Sequence, residues 1–156
     1  MEPKAVILEK NSEVLNDLIM INNDRIKSYE KAADDTGESD EDLRELFKTM
    51  AGESRVYAEE LKSNVIRDGS SPQDETTLLG GVYRAWMYIK SRIIGTTRRD
   101  LLESSECIED AAQRAYKKAL ESEDLTSFSR RIVNNQKIRL RYAHDKIRRM
   151  CEMQVV

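Results

Sequence analysis

Two carboxylates lie close together on one predicted helix, in the stretch ECIEDAAQRAYKKAL between Glu106 and Leu120. Residues three or four apart share one face of a helix, so Glu109 falls within an otherwise small and apolar stripe. Glu106 lies one turn earlier on nearly the same side. The stripe comprises Leu102, Ser105, Glu109, Ala112, Tyr116 and Ala119. An unpaired carboxylate is costly to bury, so the sequence predicts either solvent along this seam or polar partners on facing helices.

The chain offers few other groups for catalysis. It has one histidine, His144, and two cysteines, Cys107 and Cys151, which do not form a CxxC or other metal-binding spacing. No Gly-rich phosphate loop and no Ser/Cys/His triad is evident in the sequence. We predict free thiols in a reducing compartment and little acid–base chemistry at neutral pH.

Composition favours one helical domain over residues 1–156. The 156 residues are enough to bury a core, and two prolines, six glycines and 35% charged residues are typical of long helices. No apolar run approaches the ~20 residues that span a bilayer, and the first residues lack the apolar region of a signal peptide. We therefore predict a soluble, cytoplasmic protein that does not associate with membranes.

Charge is divided unevenly along the chain. Residues 1–78 hold 10 basic and 19 acidic side chains, whereas residues 79–156 hold 16 basic and 10 acidic ones. A nucleic-acid-binding face on the last helix is one interpretation. The net charge of -3 and the absence of interleaved aromatic residues favour a solvated face beside an acidic half, without nucleic acid. The basic residues concerned are Arg130, Arg131, Lys137, Arg139, Arg141, Lys146, Arg148 and Arg149.

Helical periodicity and turn residues divide the chain into segments. The predicted segments are an extended lead-in over 1–10, a helix over about 11–35, a helix over about 39–67, a loop over 68–74, a shorter helix over about 75–94, a helix over about 97–122 and a last helix from 124 or 126. The predicted N-caps are Asn11 or Ser12, Ser39 in a capping box with Asp42, Thr96 or Thr97, and Asp124 or Thr126, and Gly37 and Gly95 are predicted to close the preceding helices.

These segments predict an all-α fold with four long helices. Short turns within each helix pair imply antiparallel neighbours, and one long connection between the pairs is the ferritin-like arrangement of an antiparallel four-helix bundle. The crossover carries the additional short helix, whose apolar stripe includes Val82 and Trp86. A cofactor site or a dimer surface is possible for that stripe, but we favour ordinary core packing.

A weak internal repeat places polar residues at one level of the bundle. The segments NNDRIKSYEKAA and EDAAQRAYKKAL both carry a polar inward residue seven positions before an inward tyrosine. Counting residues from the first turn places Asn22 and Ser54 at the same level. A similar count from the last turn places Glu106 opposite Tyr142, which lies within one helical turn of His144. We therefore predict a polar layer across the middle of the bundle.

Four runs carry a family resemblance that extends from about Leu15 to Met150. These runs are LNDLIMINNDRIKSYEKAA, DLRELFKTMAGESRVYAEEL, YRAWMYIKS and ECIEDAAQRAYKKAL. They resemble a bacterial family of ferritin-like four-helix-bundle proteins of unassigned function and, more distantly, rubrerythrin. The resemblance implies a two-metal site in which the first and third helices give carboxylates, while the second and fourth each give Glu-x-x-His.

Only part of that ligand pattern is present. The resemblance implies Glu106, Glu109 and His144 as the remaining metal ligands, with iron or manganese as the metal. The other ligand positions are occupied by Asn22, Ser54, Tyr57 and Arg141. We favour a metal-free polar core in which Arg141 or His144 neutralises a glutamate and the other residues form hydrogen bonds. The neighbouring residues Glu30 and Glu53 are alternatives that would complete a single-metal site.

Two functions follow from these alternatives. The favoured one is a non-catalytic helical module that forms a homo-oligomer, such as a dimer, and serves an interaction or, as the resemblance implies, a stress-related role. The alternative is a metal-dependent oxidase or peroxidase of the di-iron type, with Glu106, Glu109 and His144 as ligands. The sequence identifies neither a substrate nor a protein partner.

Overall fold

The structure is a computed structural model that describes residues 3–72, 82, 86 and 95–154. Four long helices lie within these residues: α1 Lys4–Asp35, α2 Glu41–Arg67, α3 Arg98–Glu121 and α4 Ser127–Met153. A short 3-10 helix, Glu38–Asp40, joins α1 to α2, and no strand occurs in the described ranges. The predicted all-α class is therefore confirmed.

The four helices form a bundle in which packed neighbours are antiparallel. The most extensive packing joins α1 to α2 and α3 to α4, while α1 also contacts α3 and α2 contacts α4. Arg98, at the start of α3, forms ion pairs with Asp40 and Asp42 at the start of α2. The end of α2 and the start of α3 therefore lie at opposite ends of the bundle, as the predicted long crossover requires. Most of the helix predicted over 75–94 lies outside the described residues. Val82 and Trp86 are the two residues of this range that are described, and both have helical backbone.

The buried core consists of two apolar clusters, one toward each end of the bundle. One cluster lies toward the N-terminus of α1 and includes Leu18 and Leu140. The other lies toward the C-terminus of α1 and includes Phe47 and Ile147. Burial of such side chains drives the packing of the four helices, because each buried CH₂ contributes about 0.8 kcal/mol. The layer between the two clusters is the level at which the sequence predicts polar residues.

The predicted extended lead-in over 1–10 is wrong, because α1 begins at Lys4 after Pro3 as N-cap. No glycine or proline interrupts the sequence from Lys4 to Asp35, so the helix continues through this whole segment. Asn11 and Ser12, predicted as N-caps, are helical and buried. Asn11 instead donates hydrogen bonds to Asp68 and Ser129 at the adjoining ends of α2 and α4.

The other predicted helix ends have mixed outcomes. Gly37 does not adopt the left-handed conformation, since its φ is -66°, and Ser39 does not form the predicted capping box because no side chain caps α2. Thr97 and Thr126 do cap α3 and α4, each accepting a hydrogen bond from a backbone N–H in the first turn. Residues 68–72 of the predicted loop are non-helical, and residues 73–74 lie outside the described ranges.

Two further expectations concern the membrane and the thiols. Among the helices that the structure describes, none has the length and apolar character needed to cross a bilayer. Cys107 and Cys151 are both free thiols, as the sequence predicts.

Candidate functional site

A buried ion pair between α1 and α3 lies in the polar layer. The side chains of Arg25 and Glu109 are both 0% exposed. The guanidinium Nε lies 3.0 Å from Glu109 Oε2 and Nη2 lies 2.6 Å from Oε1, so the pair is bidentate. The third guanidinium nitrogen, Nη1, donates to Ser54 Oγ on α2. Arg25 therefore links three of the four helices.

Tyr29 completes the hydrogen bonding of Glu109. Its hydroxyl donates to Glu109 Oε2 at 2.7 Å, so both carboxylate oxygens accept hydrogen bonds from protein groups. The guanidinium of Arg25 also lies over the Tyr29 ring, 5.3 Å from its centroid, at a distance typical of a cation–π contact. Tyr29 stacks in turn on Phe47, with ring centroids 5.6 Å apart, which joins the ion pair to the second apolar cluster.

The surroundings determine the protonation of these groups. Burial, the largest single influence, lowers the pKa of Arg25. The charge and hydrogen bond of Glu109, together with Tyr29 and Tyr116, more than offset burial and raise the pKa above its ordinary value. Burial, followed by the charge of Glu109, raises the pKa of Tyr29 well above its usual range. Arg25 therefore remains a cation, and Tyr29 keeps the proton with which it binds Glu109.

A second group of hydrogen bonds continues the layer through all four helices. Asn22 Nδ2 on α1 donates to the Tyr116 hydroxyl on α3 at 2.8 Å. That hydroxyl donates to Gln136 Oε1 on α4 at 2.8 Å, and Gln136 Nε2 donates to the Tyr57 carbonyl on α2 at 3.2 Å. Burial raises the pKa of Tyr116, so its hydroxyl stays protonated. Asn22 Oδ1 has no hydrogen-bond partner among the described residues.

The two tyrosine contacts involve the residue pairs of the internal repeat. Tyr29 follows Asn22 by seven residues on α1, and Tyr116 follows Glu109 by seven on α3. Each tyrosine bonds the polar residue of the other helix: Tyr29 bonds Glu109 and Tyr116 bonds Asn22. The repeat aligns Arg25 with Ala112, which is small and fully buried. The two helices thus contribute one long cation and one short side chain at equivalent positions.

The predicted polar core is only partly assembled. Asn22, Ser54, Tyr57 and Glu109 are buried, as predicted, but Arg141 is exposed. His144 bonds Asp110 and Asp145, rather than Glu106 or Glu109. The prediction that Arg141 or His144 neutralises Glu109 is therefore wrong, because Arg25 does so.

Glu106 lies away from the ion pair, beside Cys151. Burial and the neighbouring Glu106 carboxylate raise the pKa of the Cys151 thiol to about 12, so the thiol remains protonated near neutral pH. Cys151 Sγ donates a hydrogen bond to the Leu102 carbonyl at 3.3 Å. Because its thiolate is disfavoured, Cys151 is poorly suited to nucleophilic chemistry or metal binding.

The residues present do not fit an iron or manganese centre. Within the described ranges, no group of three or more His, Cys, Asp or Glu residues is placed to hold a metal ion, so Glu106, Glu109 and His144 do not form such a group. A di-iron site of this architecture uses about four carboxylates and two histidines. Both oxygens of Glu109 are hydrogen-bonded within the protein, and the Arg25 guanidinium beside them would repel a metal cation.

The two alternative carboxylates differ in position. Glu30 is exposed and forms an ion pair with Arg55, so it points away from the core. Glu53 is half-buried, and its Oε2 has no hydrogen-bond partner among the described residues. Burial raises the pKa of Glu53, and Glu109 adds to the increase while Arg25 opposes it. The electrostatic surroundings of Glu53 therefore include both members of the central ion pair.

Arg25 is not among the residues predicted for the polar layer. Arg25 nevertheless lies seven residues after Leu18 and four before Tyr29. That spacing places Arg25 on the same helix face as both. Helical spacing alone would therefore have indicated that Arg25 faces inward, although a charged side chain usually faces solvent.

Comparisons with known proteins support the fold but not an activity. A profile of the DUF2383 family, described as a domain of unknown function, matches residues 10–122. A solved structure of a Mycobacterium smegmatis Dps1 mutant, F47E, superposes with a TM-score of 0.80 over 97% of this chain and 99% of that chain, at 16% sequence identity. This likeness confirms the predicted ferritin-like four-helix bundle. No protein of curated function matches the sequence.

Proposed function

The chain belongs to the DUF2383 family, and we propose that it is a non-catalytic helical module with an ion pair where a metal centre would lie. One observation carries this proposal: the buried Arg25 guanidinium binds both carboxylate oxygens of Glu109. The module acts through contacts with protein surfaces, including those of a second copy in a dimer or larger oligomer. The free thiols support a reducing compartment such as the cytoplasm.

The chemistry of Arg25 explains how an ion pair can take the place of a metal. The guanidinium is a permanent cation with five donors in a rigid fork, so it can neutralise a carboxylate and bridge helices without an ion from solution. Here it connects Glu109 on α3 to Ser54 on α2. A redox-active iron pair instead requires bridging anionic oxygens, which this layer does not supply.

Metal content tests the non-catalytic proposal. Protein purified without chelator or affinity tag, from cells grown with added iron and manganese, is expected to contain far less than one metal ion per chain by elemental analysis. Its melting temperature is expected to be unchanged by EDTA. Glu121→Ala, at the exposed end of α3, is the control. Stoichiometric metal in the wild type and in this control would favour the oxidase or peroxidase if Glu109→Ala lost that metal.

Light scattering after size-exclusion chromatography tests the self-association. The expected mass exceeds that of the 18.0 kDa chain and rises with protein concentration. A constant monomer mass across the concentration series would refute this part of the proposal.

A further inference from the structure

The outer face of α4 carries exposed apolar and aromatic side chains among exposed arginines. We call Arg131, Ile138, Arg141, Tyr142 and Arg149 the basic patch. Ile138 is 50% exposed and Tyr142 is 72% exposed, and their spacing of four residues places them side by side on the helix. Arginine and tyrosine are enriched where proteins bind one another, so this surface has the composition of an interface.

The arginines of the basic patch have no acidic partner among the residues that the structure describes. Among the described residues, the ion pairs of α4 involve Arg139, His144 and Arg148, not the arginines of the patch. The helix holds eight basic and two acidic residues between Ser127 and Met153. This excess of positive charge favours an acidic partner surface.

A pocket with the opposite charge lies at one end of the same molecule. It has a volume of about 550 Å³ and is formed by the first turns of α1 and the residues that follow α2. We call Ala5, Leu8, Glu9, Ser12, Glu13 and Asp68 the acidic pocket. Its described lining contains no lysine or arginine, and Glu9 and Glu13 form no ion pair among the described residues. Ala5 and Leu8 add an apolar surface beside these carboxylates.

A buried hydroxyl gives an independent indication that the acidic pocket receives a polar group. Ser12 is 3% exposed, and its Oγ has no hydrogen-bond partner among the described residues. Buried polar groups are almost always hydrogen-bonded, so an unpartnered hydroxyl in a pocket wall suits a donor or acceptor supplied from outside.

We propose that the acidic pocket of one copy receives the basic patch of a second copy. This inference rests on the proposed self-association and assigns its two surfaces. Tyr142 of one copy enters the pocket, where Ser12 of the other is the hydrogen-bond partner for its hydroxyl. Arg141 and Arg149 then face Glu9 and Glu13. A single contact of this kind is head-to-tail, and repetition of it gives a ring or a filament unless the two contacts close reciprocally between two copies.

Complementary variants test this arrangement. The patch variant combines Arg141→Glu with Tyr142→Ala, and the pocket variant combines Glu9→Lys with Glu13→Lys. Each variant alone is expected to weaken self-association by about 10-fold or more, because it removes a central aromatic anchor or reverses charges that face the partner surface. An equimolar mixture is expected to regain association, since the intact patch of the pocket variant fits the intact pocket of the patch variant. Light scattering and native mass spectrometry measure both results.

Matched controls separate this inference from general charge effects. Lys118→Glu makes the same charge change as the patch variant, and Glu121→Lys with Glu123→Lys makes the same charge change as the pocket variant. Both controls lie at exposed positions elsewhere and are expected to associate like the wild type. Circular dichroism verifies that every variant is folded.

The outcomes also separate this inference from the proposed self-association. Wild-type mass for the patch and pocket variants overturns the inference while leaving self-association in place. A patch variant that is monomeric beside a pocket variant that still associates indicates a two-fold contact through α4, and it also overturns the head-to-tail arrangement. A wild-type protein that is monomeric at every concentration refutes the self-association itself.

Discussion

The burial of Arg25 and Glu109 removes two charges from water, and such desolvation is costly unless the groups are paired and hydrogen-bonded. The central layer meets this requirement, since Arg25 bonds Glu109 and Ser54 while Glu109 also accepts from Tyr29. A buried ion pair of this kind adds little net stability compared with apolar side chains of similar size. Removing one member alone, however, leaves an unpaired charge in the core.

A double-mutant cycle tests this interdependence. Arg25→Met and Glu109→Gln are each expected to lower the free energy of unfolding by about 3–5 kcal/mol, because each leaves a buried charge without its partner. The double variant is expected to lose much less than the sum, since neither charge remains. Urea denaturation followed by circular dichroism gives all four values.

The exposed pair of Glu30 and Arg55 provides the control for that cycle. This pair joins α1 to α2, and both of its side chains are about half exposed. Glu30→Gln and Arg55→Met are each expected to cost less than about 1 kcal/mol. The role assigned to the buried pair would be contradicted if the losses in free energy of unfolding at Arg25 and Glu109 were additive. Losses as small as those of the control variants would also contradict it.

Glu53 is expected to destabilise the folded protein near neutral pH. Burial raises its pKa above the ordinary value of 4.5, so the folded chain holds this proton more tightly than the unfolded chain. Between the two pKa values the free energy of unfolding falls as the pH rises, because ionisation is easier in the unfolded state. The stabilising effect of the bound proton is therefore fully present below pH ~4.5 and lost as the pH passes the folded pKa.

Replacement of Glu53 by glutamine tests this sign. Glu53→Gln is expected to raise the free energy of unfolding at pH 7, by less than about 1 kcal/mol because the side chain is only partly buried. The gain is expected to disappear near pH 4, where the wild-type carboxyl is protonated. Urea denaturation at both pH values measures it, with the exposed Glu59→Gln as a control on the same helix. A variant that is less stable than the wild type at pH 7 would show that the Glu53 carboxylate stabilises the fold.

At the scale of one helix, α1 shows which part of the site a sequence can predict. Asn22 and Tyr29 follow from helical periodicity, because inward positions recur every three or four residues. Arg25 occupies an equally suitable position, but its orientation depends on Glu109, 84 residues away, and on the short side chain of Ala112. Local pattern thus predicts the inward face, whereas the ion pair depends on tertiary contacts.

The helix ends follow the same distinction between local and tertiary causes. Thr97 was predicted as a cap because its hydroxyl accepts from the next turn, and this local interaction is present. Asparagine is also typical of caps, yet the side chain of Asn11 donates hydrogen bonds to Asp68, just after α2, and to Ser129 of α4. Four long helices and their order were therefore predictable, while the start of α1 required knowledge of its neighbours.

Two glycines at helix boundaries give a matched pair of substitutions. Gly95 precedes α3 with φ +82°, and Gly69 follows α2 with φ +85°, so alanine is strained at both positions. An added Cβ would lie 2.4 Å from Asp100 Oδ2 at Gly95, whereas it would meet open space at Gly69. Gly69→Ala is expected to cost about 1 kcal/mol, and Gly95→Ala distinctly more because Asp100 must also move. Equal losses in thermal denaturation would contradict the assigned clash.

At the scale of the whole molecule, bundle packing and central chemistry are separable. The backbone superposes on a Dps1 structure with a TM-score of 0.80 although only 16% of residues are identical. Two apolar clusters pack the helices, and the layer between them holds the ion pair of Arg25 and Glu109. A shared fold does not determine what occupies such a layer, because function depends on the side chains of the site.

The central claim is that the Arg25 guanidinium excludes a metal from the layer that it shares with Glu109. Calorimetric titration of folded wild-type protein with manganese(II), and with iron(II) under anaerobic conditions, tests this most directly, with Glu109→Gln titrated in parallel. We predict no saturable binding in either protein. A saturable site for one or two ions per chain in the wild type, abolished by Glu109→Gln, would contradict the claim.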